Sequence, residues 1–164
     1  MTASFRIGMG VDSHRFQEKK TAKKLILGGV EIKDHIGLDS HSDGDVVLHA
    51  LFNALSSAIG EKSIGQFFPD NDPKWKGVDS LVFLHTILDR IKKAGYLVGN
   101  VTVSLECKTP KISPHSEAMI EKMAAILKIE RTEIALHATS GEGLTSFGKG
   151  EGIYGQAMIL LYKK

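Results

Sequence analysis

Two stretches of this chain each carry a single apolar stripe at helical spacing, and a helix with one apolar face has to lay it against another layer. Asp43 to Ile59 gathers Val47, Leu48, Leu51, Leu55 and Ile59 on one side, with Ser42 or Asp43 available as its cap and Gly60 as its stop. Asp79 to Ala94 does the same with Leu81, Leu84, Leu88 and Ile91, capped by Asp79 and ended by Gly95. A third helix starts near Ser113, with Pro114 at its first position, and runs to about Leu127. Strand-like runs supply the other layer. These are Phe5 to Val11 (with glycines at 8 and 10), a hairpin from Leu25 to Ile32 around Gly28-Gly29, Val98 to Cys107, Ile134 to Thr139, and Gly152 to Leu161. The implied fold is α+β: a two-layer sandwich, a mixed β-sheet with helices packed on one face. No repeat or linker-like tract interrupts the 164 residues, so 1–164 reads as one domain.

Composition narrows the partners. A net charge of +2 is too small to argue for nucleic acid or a membrane surface, and the densest basic cluster, Lys19, Lys20, Lys23 and Lys24, reads as a solvated loop. No apolar run approaches the roughly 20 residues that a membrane helix needs. The lone cysteine, Cys107, cannot form an internal disulfide, which fits a reducing compartment. It ends an alternating strand run and reads as structural. The opening Met1-Thr2-Ala3-Ser4 leads straight into strand pattern with no leader-like segment, so a soluble, cytoplasmic chain is expected.

The residues that carry chemistry gather in blocks. Asp12 and His14 lie two apart at a strand end, so continued strand geometry puts both side chains on one face. His49 lies about one turn into the first long helix, with His41 and Ser42 just before it. One carboxylate and two imidazoles brought together suit a catalytic zinc ion with a fourth position open; a closed structural zinc would more often use cysteines. A helix N-terminus is also a natural place for a phosphate group, and His41 and Ser42 can add hydrogen bonds there, although Ser42 and Asp43 can equally be plain caps. The segment Ile64 to Pro73 packs carboxylates, turn formers and aromatics into a short loop. In it Asp70 can accept from the hydroxyls of a polyol, and a surface turn explains the loop equally well. Thr109 to Pro114 is stiffened by prolines and can present backbone groups to a nucleobase or simply connect two elements. Thr139, Ser140 and Glu142 stand at a strand exit among glycines, a setting for phosphate and a second, hard cation.

These blocks resemble the 2-C-methyl-D-erythritol 2,4-cyclodiphosphate synthase family. The resemblance runs from Arg6-Ile7-Gly8-Met9-Gly10-Val11-Asp12-Ser13-His14 through His41-Ser42-Asp43-Gly44-Asp45 and His49 to Phe67-Phe68-Pro69-Asp70-Asn71-Asp72-Pro73. It continues through Gly99-Asn100-Val101, Pro110-Lys111 and Gly150-Glu151-Gly152, so it covers essentially the whole chain. It implies a zinc ion held by Asp12, His14 and His49, and a Mg²⁺ or Mn²⁺ held by Glu142. It implies catalytic roles for His41 and Ser140, with His41 and Ser42 at phosphate-contacting positions and Asp70 on the polyol. The implied substrate surface further takes in Ser13, Ser63, Ile64, Gly65, Phe68, Pro69, Asn71 and Asp72. On the nucleotide side it takes in Cys107, Pro110, Lys111, Ile112 and Ser113 around cytosine, with Thr139, Gly141, Ser146 and Lys149. The implied substrate is a cytidine diphosphate derivative of methylerythritol 2-phosphate, whose 2-phosphate oxygen attacks the β-phosphate and expels CMP. That reaction serves the non-mevalonate route to isoprenoid precursors. The attacking group is already anionic, so the chemistry asks for positioning and charge neutralisation rather than a strong base. The implied assembly is a homotrimer with sites between subunits.

The chain departs from the family pattern in places. Ser63 stands where aspartate often contacts ribose, Met9 replaces a histidine of some members, and Gly143-Leu144-Thr145-Ser146 follows Glu142 where a lysine and then an aromatic are common. Lys149 stands where arginine is common, on a central trimer cavity implied to hold isoprenoid diphosphates; lysine keeps the charge and loses the bidentate fork. Two other readings compete. One is a zinc phosphohydrolase working through metal-bound water, which would give a linear product. The other is a binding module in which zinc only braces an interface.

Overall fold

The computed structural model describes residues 4–164; Met1 to Ala3, on which part of the expectation about the start of the chain rests, lie outside the described residues. Four long strands form one sheet: β1 (Phe5–Arg15), β4 (Tyr96–Glu106), β5 (Ile134–Thr139) and β6 (Gly152–Lys163). Their order is β1-β6-β4-β5, with β4 and β5 parallel and the other pairs antiparallel, so the sheet is mixed as expected. The hairpin of β2 (Leu25–Leu27) and β3 (Val30–Ile32) stands apart as a second, two-stranded sheet.

The helices α1 (Val46–Ala58), α3 (Ser80–Lys93) and α4 (Ser116–Leu127) are joined by two single-turn helices, α2 (Ile64–Phe67) and α5 (Ser146–Lys149). Alternation along β1 shows which face they cover: Gly8 and Gly10 are buried while Phe5, Ile7, Met9 and Val11 are exposed. The glycines are required by close approach. A Cβ at Gly8 would lie 1.9 Å from the Ala54 carbonyl oxygen of α1, and one at Gly10 would lie 2.3 Å from that of Ala50. The strand and the helix therefore meet backbone to backbone. Leu48, Leu51 and Leu55 of α1, Leu84 and Ile87 of α3, and Val103 and Leu105 of β4 are fully enclosed between the layers. Each such side chain stabilises the fold by about 1.5–3 kcal/mol. Among the described residues no helix covers the opposite face of the sheet, and Ile7 there is 63 % exposed.

Several boundaries differ from the sequence reading. β1 continues four residues past Val11, so Asp12 and His14 lie within the strand, paired with Gly155 and Ile153 of β6. The first helix begins at Val46 and its cap is Asp45, not Ser42 or Asp43. Asp45 outcompetes them because it alone sits where one carboxylate can serve both the helix and the β2–β3 turn. The third helix begins at Ser116, after a 3₁₀ turn over Ser113–His115 that contains Pro114. In α3, Leu84 and Ile91 are buried but Leu81 and Leu88 only flank the core; Ser80, Phe83 and Ile87 take the inner stripe. That rotation turns Ser80 toward α1.

Candidate active site

β1 and α1 bring Asp12, His14 and His49 together. Asp12 Oδ2 is 2.9 Å from His49 Nδ1 and 3.1 Å from His14 Nε2, and the two imidazole nitrogens are 3.3 Å apart. The strand repeat of two sets the first pair on the helix-facing side, and the Gly8 and Gly10 contacts set the distance to α1. Burial alone would raise the Asp12 carboxyl, but hydrogen bonds and charge from His14 and His49 outweigh it and hold the pKa at about 2. The carboxylate is thus an anion ready to ligate. One carboxylate oxygen and two imidazole nitrogens on one locus fit a zinc-type divalent ion, which would take the place of the protons those nitrogens share with Asp12. No further His, Cys, Asp or Glu joins the group among the described residues, which suits a site open to substrate.

The surroundings of this triad are closed. On its other side His49 Nε2 lies 2.8 Å from Ser80 Oγ and 3.2 Å from Ser42 Oγ. Ser42 is buried and accepts from the Gly44 N–H at 3.2 Å. Asp43 accepts from Ser80 through both its backbone N–H, at 3.0 Å, and its hydroxyl. Asp45 is fully buried, and its carboxylate accepts from the N–H groups of Gly28, Gly29, Val47 and Leu48. Burial nevertheless pushes its carboxyl up to about 6. The N2 and N3 amides of α1 are therefore taken by the protein's own side chain, so the capping alternative holds for them, with Asp45 as the cap. His41 stands half-buried beside this start, its Nε2 3.2 Å from the Asp72 carbonyl oxygen.

A second region lies where β4 and β5 end. Ser140 donates to Glu142 Oε1 at 2.6 Å, and Gly141 N–H donates to Thr139 Oγ1 at 3.2 Å. Glu142 holds a positive φ of 48°. A cavity of about 350 Å³ opens here, lined by Lys108, Ser140, Glu142, Gly143, Gly148 and Lys149. Two backbone bonds tie the Cys107–Ser113 loop to it, Cys107 N–H to Thr139 O and Lys108 N–H to Phe147 O, both 3.1 Å. Glu106 accepts from the Thr145 hydroxyl, and Ser146 opens α5. In that loop Pro110 and Ile112 are buried and Lys111 and Ser113 exposed, with a cis peptide between Thr109 and Pro110. The Cys107 thiol, pushed up to about 11 mainly by burial, is a structural group as read.

The Ile64–Pro73 segment divides in two. Ile64 and Gly65 belong to α2, and Ser63 just before it donates its N–H to Gln66 Oε1 at 3.4 Å. Phe68 belongs to an aromatic cluster, with ring centroids 4.4 Å from Phe83 and 4.8 Å from Trp75. Asp72 caps the 3₁₀ turn that follows, accepting from Lys74 N–H at 3.0 Å. Pro69, Asp70 and Asn71 are exposed, as is Ser13 on β1.

The two regions occupy the same end of the sheet. The pairing register runs Asp12–Gly155–Leu105–Ala138 across the four strands. Three strand spacings separate the outer pair, roughly 14 Å between backbones. Sequence reasoning missed Ser80 and the inward roles of Asp43 and Asp45. Ser80 had no signal beyond following a helix cap, Asp43 looked like an ordinary cap, and Asp45 stood two residues inside the expected start of the helix.

Residues 5–162 match the model of the YgbB family. A 2-C-methyl-D-erythritol 2,4-cyclodiphosphate synthase of Koribacter versatilis is 45% identical, over 97% of this chain and 99% of that one. Among solved structures, the Plasmodium falciparum IspF–CDP complex superposes with a TM-score of 0.86 at 32% identity, covering 100% of this chain and 99% of that one. The bifunctional IspDF of Campylobacter jejuni superposes with a TM-score of 0.90 at 32% identity; this chain covers 98% of itself and 42% of that longer protein.

Proposed function

Because this chain belongs to the YgbB family of 2-C-methyl-D-erythritol 2,4-cyclodiphosphate synthases, we infer that its two regions act on two halves of one substrate. The reaction is the conversion of 4-diphosphocytidyl-2-C-methyl-D-erythritol 2-phosphate to the 2,4-cyclodiphosphate with release of CMP, a step in isoprenoid precursor synthesis. The observation that carries the assignment of labour is the Asp12–His14–His49 cluster, whose ligand atoms all lie within 4.8 Å of one another.

Asp12, His14 and His49 would hold zinc. A bound divalent ion supplies Lewis-acid polarisation of a phosphate oxygen. Around it the protein's own groups position the substrate. His41, just before the start of α1, donates to phosphate. Asp70, exposed and unpaired with any cation, accepts from the hydroxyls of the polyol. The Cys107–Ser113 loop presents backbone groups to the cytosine ring. Ser140 is a hydroxyl donor to phosphate oxygens whose charge grows during transfer. Glu142 repels phosphate unless a cation stands between them, so it serves a second divalent ion, Mg²⁺ or Mn²⁺.

The roughly 14 Å between the two regions of one chain is long for two groups acting on one diphosphate. A second copy shortens it by placing its nucleotide loops against the first chain's metal cluster. The uncovered sheet face supports such an assembly: Phe5, Ile7 and Met9 on β1 are paired with Tyr162, Leu160 and Met158 on β6, and most of these are exposed. A closed homotrimer with composite sites, working in the cytoplasm, is the reading. No helix among the described residues is long and apolar enough to cross a membrane.

The test is incubation with the cytidine substrate and Mg²⁺, followed by ³¹P NMR. A cyclic diphosphate with CMP is expected. A linear phosphate product would identify a hydrolase instead.

A further inference from the structure

The face of His49 that points away from Asp12 and His14 has an ordered chain of partners. Ser80 Oγ lies 2.5 Å from Asp43 Oδ1 and 2.8 Å from His49 Nε2. A carboxylate can only accept, so the single hydroxyl proton of Ser80 is committed to Asp43. Ser80 Oγ is then left with lone pairs toward the imidazole. A protonated Nε2 donates a good hydrogen bond across that 2.8 Å, whereas a bare Nε2 would face a Ser80 lone pair there and could accept only from Ser42 Oγ at the longer 3.2 Å. Asp43 is itself fixed, one oxygen accepting from the Ser80 N–H at 3.0 Å and the other from the Asp45 N–H at 3.1 Å.

We propose that Ser80 and Asp43 are positioning residues that keep the proton on His49 Nε2, so that Nδ1 is the nitrogen offered to the metal. The arrangement also fixes the ring plane, since His49 is 6 % exposed and bonded at both nitrogens. A histidine ligand free to present either nitrogen would lose part of its binding to the competing tautomer. Ser80 comes from α3 and touches neither Asp12 nor His14, so its effect passes through His49 alone. The proposal rests on the metal reading above for its consequence, though not for the proton's place.

Long-range ¹H–¹⁵N NMR of histidine-labelled protein tests it, metal-free and zinc-loaded. The His49 Nε2 proton is expected in both forms. Ser80→Ala should weaken zinc binding in a chelator competition on the order of 10- to 100-fold. Ser80→Thr, which keeps the hydroxyl, should restore most of it. Zinc on Nε2, or a proton on Nδ1 with Nε2 bare, overturns the proposal, as does a folded Ser80→Ala chain that binds zinc like the wild type. If Ser80→Ala does not fold, the wild-type spectra decide. A wild-type chain that holds the Nε2 proton yet takes up no zinc supports the lock and overturns the metal reading.

Discussion

The Asp12–His14–His49 cluster and the Ser140–Lys149 loops share one end of the sheet and are built on opposite plans. Asp12, His14 and His49 come from the interior of a strand and the first turns of a helix, and His49 is tied at both nitrogens. Ser140 and Glu142 sit on a 3₁₀ turn, and the side-chain bond they share is to each other, in the open. The first region has its geometry before any ligand arrives. The second has donors and acceptors that satisfy one another until a phosphate or a cation offers better partners. On the proposed division of labour, preorganisation is concentrated where a metal would neutralise charge, and adaptability where a nucleotide would enter and CMP leave.

The sharpest way to break the comparison is to remove a ligand from the fixed side. His14→Ala is expected to lower bound zinc, read by elemental analysis, and to abolish cyclic diphosphate formation. A fully active variant without zinc would remove the metal from the chemistry. Next in size is Ile7→Asp, which puts a charge on the uncovered apolar face. Sedimentation should show a monomer that keeps its zinc and loses turnover, because each region is intact but the pair is separated. An active monomer would mean that one chain closes the gap unaided.

The fixed side should also carry stability. Asp45→Ala leaves three buried N–H groups and the half-buried one of Gly29 without their acceptor and should cost about 3 kcal/mol or more in urea unfolding. The wild type adds a pH signature. The Asp45 carboxyl rises from an ordinary 3.8 to about 6 on folding, so the folded state holds this proton more tightly than the unfolded one. Its contribution is full below about pH 4 and is lost as pH rises through about 6, on the order of 3 kcal/mol in all. Asp45→Asn should flatten that slope.

On the adaptable side the effects are smaller. Ser140→Ala should lower kcat by up to about 10²-fold with little change in KM, since its donor matters most as charge builds. Glu142→Gln should blunt the dependence of rate on added Mg²⁺ without altering Tm, because Glu142 is exposed and braces nothing in the core. Smallest is Asp70→Asn, expected to raise KM several-fold for the methylerythritol substrate, on the order of one lost hydrogen bond, while CMP binding holds. Loss of CMP binding instead would reverse the assignment of the two halves.

What the residues disclosed in advance follows the same divide. Asp12 and His14 were legible because a period of two fixes their common face, and His49 because the first turns of a helix facing the strand end can reach the same point. The sheet with its one-sided helices was legible from the stripes of Leu48, Leu51 and Leu55. Ser80 was hidden because its partner is 31 positions away and reached only when α3 rolls Leu81 and Leu88 to the edge of the core. Asp45 was hidden among neighbours of the same capping chemistry, and only the position of the β2–β3 turn chooses between them. The Glu142 turn reads as loop in any sequence, because its shape is set by glycines and by a positive φ rather than by a repeating pattern.

The bare contact of Gly8 and Gly10 with α1 has a further consequence for how this protein can drift over generations. Where side chains separate a strand from a helix, every swap of volume in the interior resets the distance between them. Here the spacer is the polypeptide itself, which no substitution can thicken or thin without removing a glycine. The interior can therefore exchange leucine for isoleucine or methionine across a lineage while the gauge between Asp12, His14 and His49 stays put. Two residues without side chains act as a calibration standard for three residues that have them.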